Sequence, residues 1–164
     1  MMGVKMKIDK EYRFDNFKVN QGNKLAFSLA LKVAEEPGKR YSPLFISGNN
    51  ERTHLMNAIV NYILEHFDYK VVYIKASDIS NITNNIDVLI IDELDCLSTS
   101  EETKLLEVIK LLQSNNKQIV LGSSKPLEEL NNISDKLKDV INWGMSVNIK
   151  DDSGNKITSI YNWL

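Results

Sequence analysis

Short runs of consecutive apolar residues alternate along this chain with longer stretches in which apolar residues recur every three or four positions. The runs are Leu44–Ser47, Val71–Ile74, Val88–Asp92, Ile119–Gly122 and Ser146–Ile149. Each is apolar on both sides of the pleat, as buried parallel strands are. Between them lie helical patterns. Leu25, Leu29 and Val33 with Ala26, Ala30 and Ala34 give one face over residues 21–35, stopped by Pro37-Gly38. Leu55, Ile59, Tyr62, Ile63 and His66 give a second, which starts near Thr53. Leu105, Leu106, Ile109 and Leu112 give a third, and Ile133, Leu137 and Ile141 a fourth. Strands alternating with helices predict an α/β fold: a three-layer sandwich with a five-stranded parallel sheet and right-handed crossovers. Asparagine pairs at 49–50, 84–85, 115–116 and 131–132 mark turns or helix ends, because asparagine tolerates the left-handed conformation.

Ligands of such sheets bind beyond the carboxyl ends of the strands. That rule sets Gly48–Thr53 and Asp92–Glu93 on one edge. The first of these is a strand–loop–helix setting in which a phosphate-binding loop is expected. Such a loop needs G-x-x-x-x-G-K-[ST], with glycines that let backbone N–H groups wrap the phosphates and a lysine for the outer ones. The chain has Gly48-Asn49-Asn50-Glu51-Arg52-Thr53 instead. The second glycine is missing, the loop is short, a carboxylate stands where phosphate would sit, and arginine replaces lysine. The other half of the machinery is intact. Val88-Leu89-Ile90-Ile91-Asp92-Glu93 is a hydrophobic strand ending in Asp-Glu, as in a Walker B element, where the aspartate holds Mg²⁺ and the neighbouring acid activates water.

Composition narrows the partners. The 164 residues suggest one domain, and 20 Lys and Arg against 22 Asp and Glu leave the chain nearly neutral. A nucleic-acid binder working through bulk charge would be basic, so strong nucleic-acid binding is not expected. One cysteine, Cys96, excludes an intrachain disulfide framework and a multi-cysteine metal site. The first residues, Met-Met-Gly-Val-Lys-Met-Lys, lack the apolar core of a signal peptide, and no run is long enough to span a membrane. The expected location is the cytoplasm.

Read together, these residues resemble the AAA+ domain of the bacterial replication initiator DnaA and its shorter relative, the regulator Hda. Tyr12-Arg13-Phe14-Asp15-Asn16-Phe17 is similar to the family's Y-x-F-D-N-F opening. Asn23, Leu25-Ala26 and Val33 to Lys39 resemble its first helix and turn. Pro43 to Ile46 and Thr53 to Ile59 resemble the segments flanking its phosphate loop. Lys117 to Leu121, Asp135 to Leu137 and Trp143-Gly144 continue the match. The resemblance covers nearly the whole chain and implies a single domain over residues 1–164, with residues 1–18 as an N-terminal arm and 160–164 as an apolar tail. It implies a P-loop NTPase core of the AAA+ kind, with strand order 5-1-4-3-2 and no lid. It also implies where parts differ. Arg52 stands at the lysine, Ser124 at the sensor-one aspartate, and Val140 at the arginine finger that reaches a neighbour's nucleotide. Residues 76–86 are too few for the two extra helices with which DnaA assembles and contacts single strands. The lid, its sensor-two arginine and the duplex-binding domain are expected to be absent.

The expectation is a catalytically inactive DnaA/Hda-like protein that acts through contacts with DnaA or another replication protein in control of initiation. No cofactor is expected, and the oligomeric state stays open. The alternatives are a protein that binds ATP or ADP with Mg weakly, a divergent ATPase, and a helicase-loader-like adaptor. Gly48, Arg52, Thr53, Asp92 and Glu93 form the candidate vestigial nucleotide site. Among them Arg52 is read as a solvent-facing residue of the first helical turn ahead of a residual phosphate contact, Thr53 as a helix N-cap rather than a metal ligand, and Asp92 and Glu93 as a remnant. Asp95 is read as a solvated acid, Cys96 as a buried and inert thiol, and Trp143 as packing beneath the sheet edge. Neither His54 nor His66 has a triad partner. Trp163, in the tail, either docks where a lid would lie or touches a partner.

Overall fold

A computed structural model of the chain describes residues 8–82 and 85–150. Five strands, β1 (Leu44–Ser47), β2 (Val71–Lys75), β3 (Val88–Asp92), β4 (Gln118–Ser123) and β5 (Met145–Asn148), pair in parallel in the order β2-β3-β4-β1-β5. This is the order expected, read from the other edge. The four helices are α1 (Lys24–Glu35), α2 (Glu51–His66), α3 (Thr99–Ser114) and the short α4 (Asp135–Ile141).

Alternation along each central strand divides its side chains between two cores. On β3, Val88 and Ile90 join Leu44, Ile46 and Val120 beneath α1 and α2. Leu89 and Ile91 join Phe45, Ile119 and Leu121 beneath α3 and α4. Successive strand residues face opposite ways, so a run that is apolar throughout can serve both layers. Each fully buried leucine or isoleucine contributes about 1.5–3 kcal/mol of transfer free energy.

The helices end where their chemistry dictates. The buried face of α1 is Ala26, Leu29, Ala30, Val33 and Ala34, a spacing with a 3.6-residue period. Gly38, at φ +81°, turns the chain after it. Ser98 caps α3: its Oγ accepts from the Glu101 N–H, and Glu101 Oε1 accepts from the Ser98 N–H. Ser134 Oγ accepts from the Leu137 N–H at the start of α4. Asn116, with φ +57°, closes the turn into β4, as the asparagine pair there predicts.

The arm before α1 is held on α2 by polar residues. Asn57 Oδ1 accepts from the Asp9 N–H at 2.8 Å, and Asn61 Nδ2 donates to the carbonyls of Asp9 and Tyr12. Arg13 makes a two-pronged pair with Glu65, at 2.6 and 2.8 Å. These contacts fix α2, and with it the turn that leads into it. Trp143 does not pack beneath the sheet: it is 65% exposed on the turn between α4 and β5. Trp163 and the rest of the tail lie outside the described residues.

Candidate functional site

The carboxyl ends of β1, β4 and β3 lie side by side, and the candidate residues gather there. Ser47 of β1 is level with Ser123 of β4, and Ile91 of β3 with Leu121 of β4. Gly48 follows β1, Asp92 ends β3, and α2 begins at Glu51.

Arg52 is not solvent-facing. From the first turn of α2 its side chain crosses above β4 to β3. Nε donates to Asp92 Oδ1 at 2.8 Å, Nη2 to Asp92 Oδ2 at 3.4 Å, and Nη1 to the carbonyl oxygen of Gly48 at 2.6 Å. The two side chains are 12% and 3% exposed. Asp92 Oδ1 also accepts from the Glu93 N–H at 2.8 Å, across a residue in the left-handed region at φ +61°. Gly122 provides the room, since a Cβ there would lie 2.5 Å from Asp92 Oδ1 and closer still to the Met56 methyl. Solvent-facing placement fails for Arg52 because its guanidinium pairs with a carboxylate buried at the end of β3.

Five N–H groups at this turn and the start of α2 are taken up by the protein's own oxygens. The Gly48 N–H donates to the Ser123 carbonyl, and the Glu51 N–H to Asn49 Oδ1. The N–H groups of Arg52, Thr53 and His54 donate to the carbonyls of Asn49, Asn50 and Asn50. Thr53 is therefore not the cap: the helix starts two residues earlier, Asn50 holds the cap position, and Thr53 is the third helical residue. Glu51 Oε2 accepts from Asn23 Nδ2 at 3.2 Å, and Asn23 is fully buried.

Beside this pair stands the Tyr73 hydroxyl, buried and without a hydrogen-bond partner among the described residues. Burial, and then the charge of Asp92, push its pKa well above the ordinary phenol value. On the other side, Asp95 is held rather than merely solvated. It accepts from Ser124 Oγ at 2.7 Å, the Ser124 N–H at 3.3 Å and Ser123 Oγ at 3.3 Å. Burial raises its pKa, but these donors outweigh burial and leave it below the usual carboxylate range. Cys96 is exposed, not buried. Its short turn, Leu94–Cys96, buries Leu94 and leaves the thiol outside. His54 Nε2 lies 2.8 Å from the Arg13 carbonyl and 3.0 Å from Asn16 Oδ1, which ties the arm to α2. His66 Nδ1 lies 2.9 Å from the Tyr62 carbonyl.

Gly122, Asn23 and Tyr73 shape this edge and are not legible as site residues in the sequence. Only the position of Gly122, at a strand end beside Ser123, hints at a close approach.

A five-stranded parallel sheet of this order, with a strand–turn–helix at β1 and an Asp-Glu ending β3, defines an AAA+ core of the P-loop NTPase class. A sequence profile of the bacterial DnaA ATPase domain matches residues 8–83 and 75–148. The chain belongs to that family. Domain III of the Thermotoga maritima replication initiation protein DnaA superposes with a TM-score of 0.84 at 29% identity, over 96% of this chain and 74% of that one. A replication initiator DnaA bound to AMPPCP and single-stranded DNA gives 0.83 at 27%, over 90% and 52%. DnaI shares the fold at 0.72 and 16% identity, over 89% and 93%. The chain spans about half the length of the nucleotide-bound DnaA structures it matches, 52% and 53%. Among the described residues no helix is long and apolar enough to cross a membrane.

Proposed function

We propose that this chain is a DnaA-family protein that has kept the AAA+ core as a docking module and acts through protein contacts in control of replication initiation, without turning over nucleotide. The observation that carries this reading is the closed turn before α2. Phosphate recognition at a helix N-terminus needs backbone N–H groups aimed at the anion. Here the N–H groups of Gly48, Glu51, Arg52, Thr53 and His54 all donate to oxygens of the protein itself. The Glu51 carboxylate lies in the first turn, where the helix dipole favours negative charge. A phosphate brought there would meet like charge.

The residues as arranged do not fit ATP or ADP with Mg²⁺. Asp92, the ligand expected for the metal, is already paired with a guanidinium. No group of three or more His, Cys, Asp and Glu among the described residues is placed to hold a metal ion. Val140, where the family resemblance sets the arginine finger, is a core residue of α4. No hydrolytic step follows from these groups.

Kinship supports the choice of partner. The matched relatives are replication initiators, and this near-neutral chain favours a protein over nucleic acid. A DnaA subunit is the first candidate and another replication protein the second.

Isothermal titration with ATP and ADP in the presence of Mg²⁺, a phosphate-release assay, and co-purification with the folded chain as bait test the reading. The expected results are no micromolar affinity, no phosphate release, and recovery of a replication protein. Magnesium-dependent release that disappears in Asp92→Asn would overturn the claim about turnover. Repeated recovery of no replication protein by folded bait would overturn the claim about partners.

A further inference from the structure

We infer that Arg52 is an intramolecular cation that takes Asp92 in place of a metal ion and so locks β1, α2 and β3 together at the ligand edge with no ligand bound. This inference rests on the proposed reading of the closed turn and extends it from what the site does not hold to what its residues do instead.

One guanidinium joins three segments. It reaches both oxygens of Asp92 at the end of β3 and the Gly48 carbonyl at the exit of β1, while its backbone belongs to α2. The planar fork of arginine can serve two acceptors in fixed directions, whereas the ammonium of a lysine is a point charge on a flexible stem. Arginine at 52 is therefore matched to this task, whereas lysine suits outer phosphates.

Location gives the pair its weight. An exposed pair of this kind contributes little. Here the carboxylate is 3% exposed and the arginine 12%. Removing one partner of such a pair leaves a charge in a place water does not reach. Asp92 Oδ1 already accepts two donors, the Arg52 Nε–H and the Glu93 N–H. A divalent ion would compete with the guanidinium for this carboxylate, whose Oδ2 carries the longer contact, at 3.4 Å. Asp95, a neighbouring acid, is engaged by Ser123 and Ser124 instead. Gly122 keeps the lane open, as any side chain there would press on the Asp92 carboxylate.

The test is a double-mutant cycle of Arg52→Gln and Asp92→Asn, read by thermal unfolding without nucleotide or metal. Each single variant should melt roughly 5–15 °C below the parent. The double variant should melt no lower than the worse single one. Arg52→Lys should fall between parent and Arg52→Gln, and replaces it in the cycle if Arg52→Gln does not fold. Mn²⁺ should leave the melting temperature of the parent unchanged. Single effects that simply add in the double variant would overturn the inference. So would a Mn²⁺-dependent rise in the parent that Asp92→Asn removes. Additive effects would defeat the lock and leave the absence of turnover standing. Phosphate release would defeat the functional reading and leave a measured coupling standing.

Discussion

Gly48 and Ile149 meet so closely that no side chain fits between them. A Cβ on Gly48 would lie 2.8 Å from the Ile149 Cβ and 2.9 Å from its carbonyl oxygen. The Ile149 N–H donates to the Ser47 carbonyl at 2.7 Å, which draws the chain leaving β5 against the turn. The Lys150 N–H donates in turn to the Gly22 carbonyl. The turn thus has a wall of backbone on the β5 side, opposite the wall made by Arg52 and Asp92.

Gly48→Ala should therefore be costly for two reasons. The φ of Gly48 is +134°, a conformation L side chains rarely adopt, and the added methyl would press on backbone that cannot swing away. Strain of this kind is worth about 1–3 kcal/mol, before the clash is counted. Urea unfolding should show a lower midpoint with an unchanged slope. An unchanged midpoint would mean that β5 and the turn can separate at little cost.

Acid should destabilise the fold in part through Asp87. The Lys70 N–H donates to its Oδ2 at 2.8 Å and Lys117 Nζ to its Oδ1 at 2.9 Å. The first of these is the larger cause of a pKa below the ordinary carboxylate value, with burial opposing. A depressed carboxylate contributes stability that is fully present above its unfolded pKa, about 4. That stability is lost as pH falls through the folded value, because in between the unfolded chain binds more protons. Melting temperature measured from neutral pH down to about pH 3 should drop below pH 4. In Asp87→Asn the drop should be shallower. Equal slopes would show that Asp87 does not titrate between the two states.

Cys96 should react with a thiol reagent in the native protein, since it is exposed. It should react slowly at neutral pH. Partial burial, then Asp95, Glu93 and Asp92, push the thiol above its ordinary value, and the thiolate is the nucleophile. The rate should climb as pH rises, with one thiol modified and no denaturant present. Modification that waits for urea would place the sulfur inside.

The layers of this chain are legible in its sequence because the strands are apolar throughout and the helices carry one-sided stripes, whereas the strand order follows only from the family resemblance. Leu89 and Ile91 could only serve one core if Val88 and Ile90 served the other. Helix starts are less legible. Thr53 looks like a cap because its hydroxyl suits one, yet Asn49 and Asn50 close the turn first and move the start to Glu51. Arg52 likewise reads as solvent-facing from its place in the first helical turn. Its partner Asp92 is 40 residues away, and no local pattern reports that a carboxylate waits across β4. Cys96 between Leu94 and Leu97 reads as buried, but a turn of three residues puts its neighbours inside and leaves it out. Site geometry of this kind depends on which side chain crosses which strand, and period and propensity do not encode that.

Replacing Val140 by arginine should not create an arginine finger. The resemblance sets residue 140 where DnaA carries that cation, and a substitution there is the obvious attempt at repair. Val140 is buried, packed in the core beneath α4 with Leu137 and Ile141. Burying an arginine without a partner costs several kcal/mol unless the side chain escapes to solvent. Escape would pull α4, which is only seven residues long, away from the sheet. Val140→Arg should therefore lower stability by about 3 kcal/mol or more, placing it among the large single-residue effects that unpaired buried charge produces. Val140→Ala, which only opens a small cavity, should cost less. Both are read by urea unfolding, with the slope compared to confirm that the folded state is still formed. If Val140→Arg unfolds like the parent, this segment can present a cation at the surface. The absence of a finger would then be a matter of one residue. If it unfolds early, the loss is built into the packing of α4, and a contact with a neighbouring subunit through this face has to work without a cation at 140.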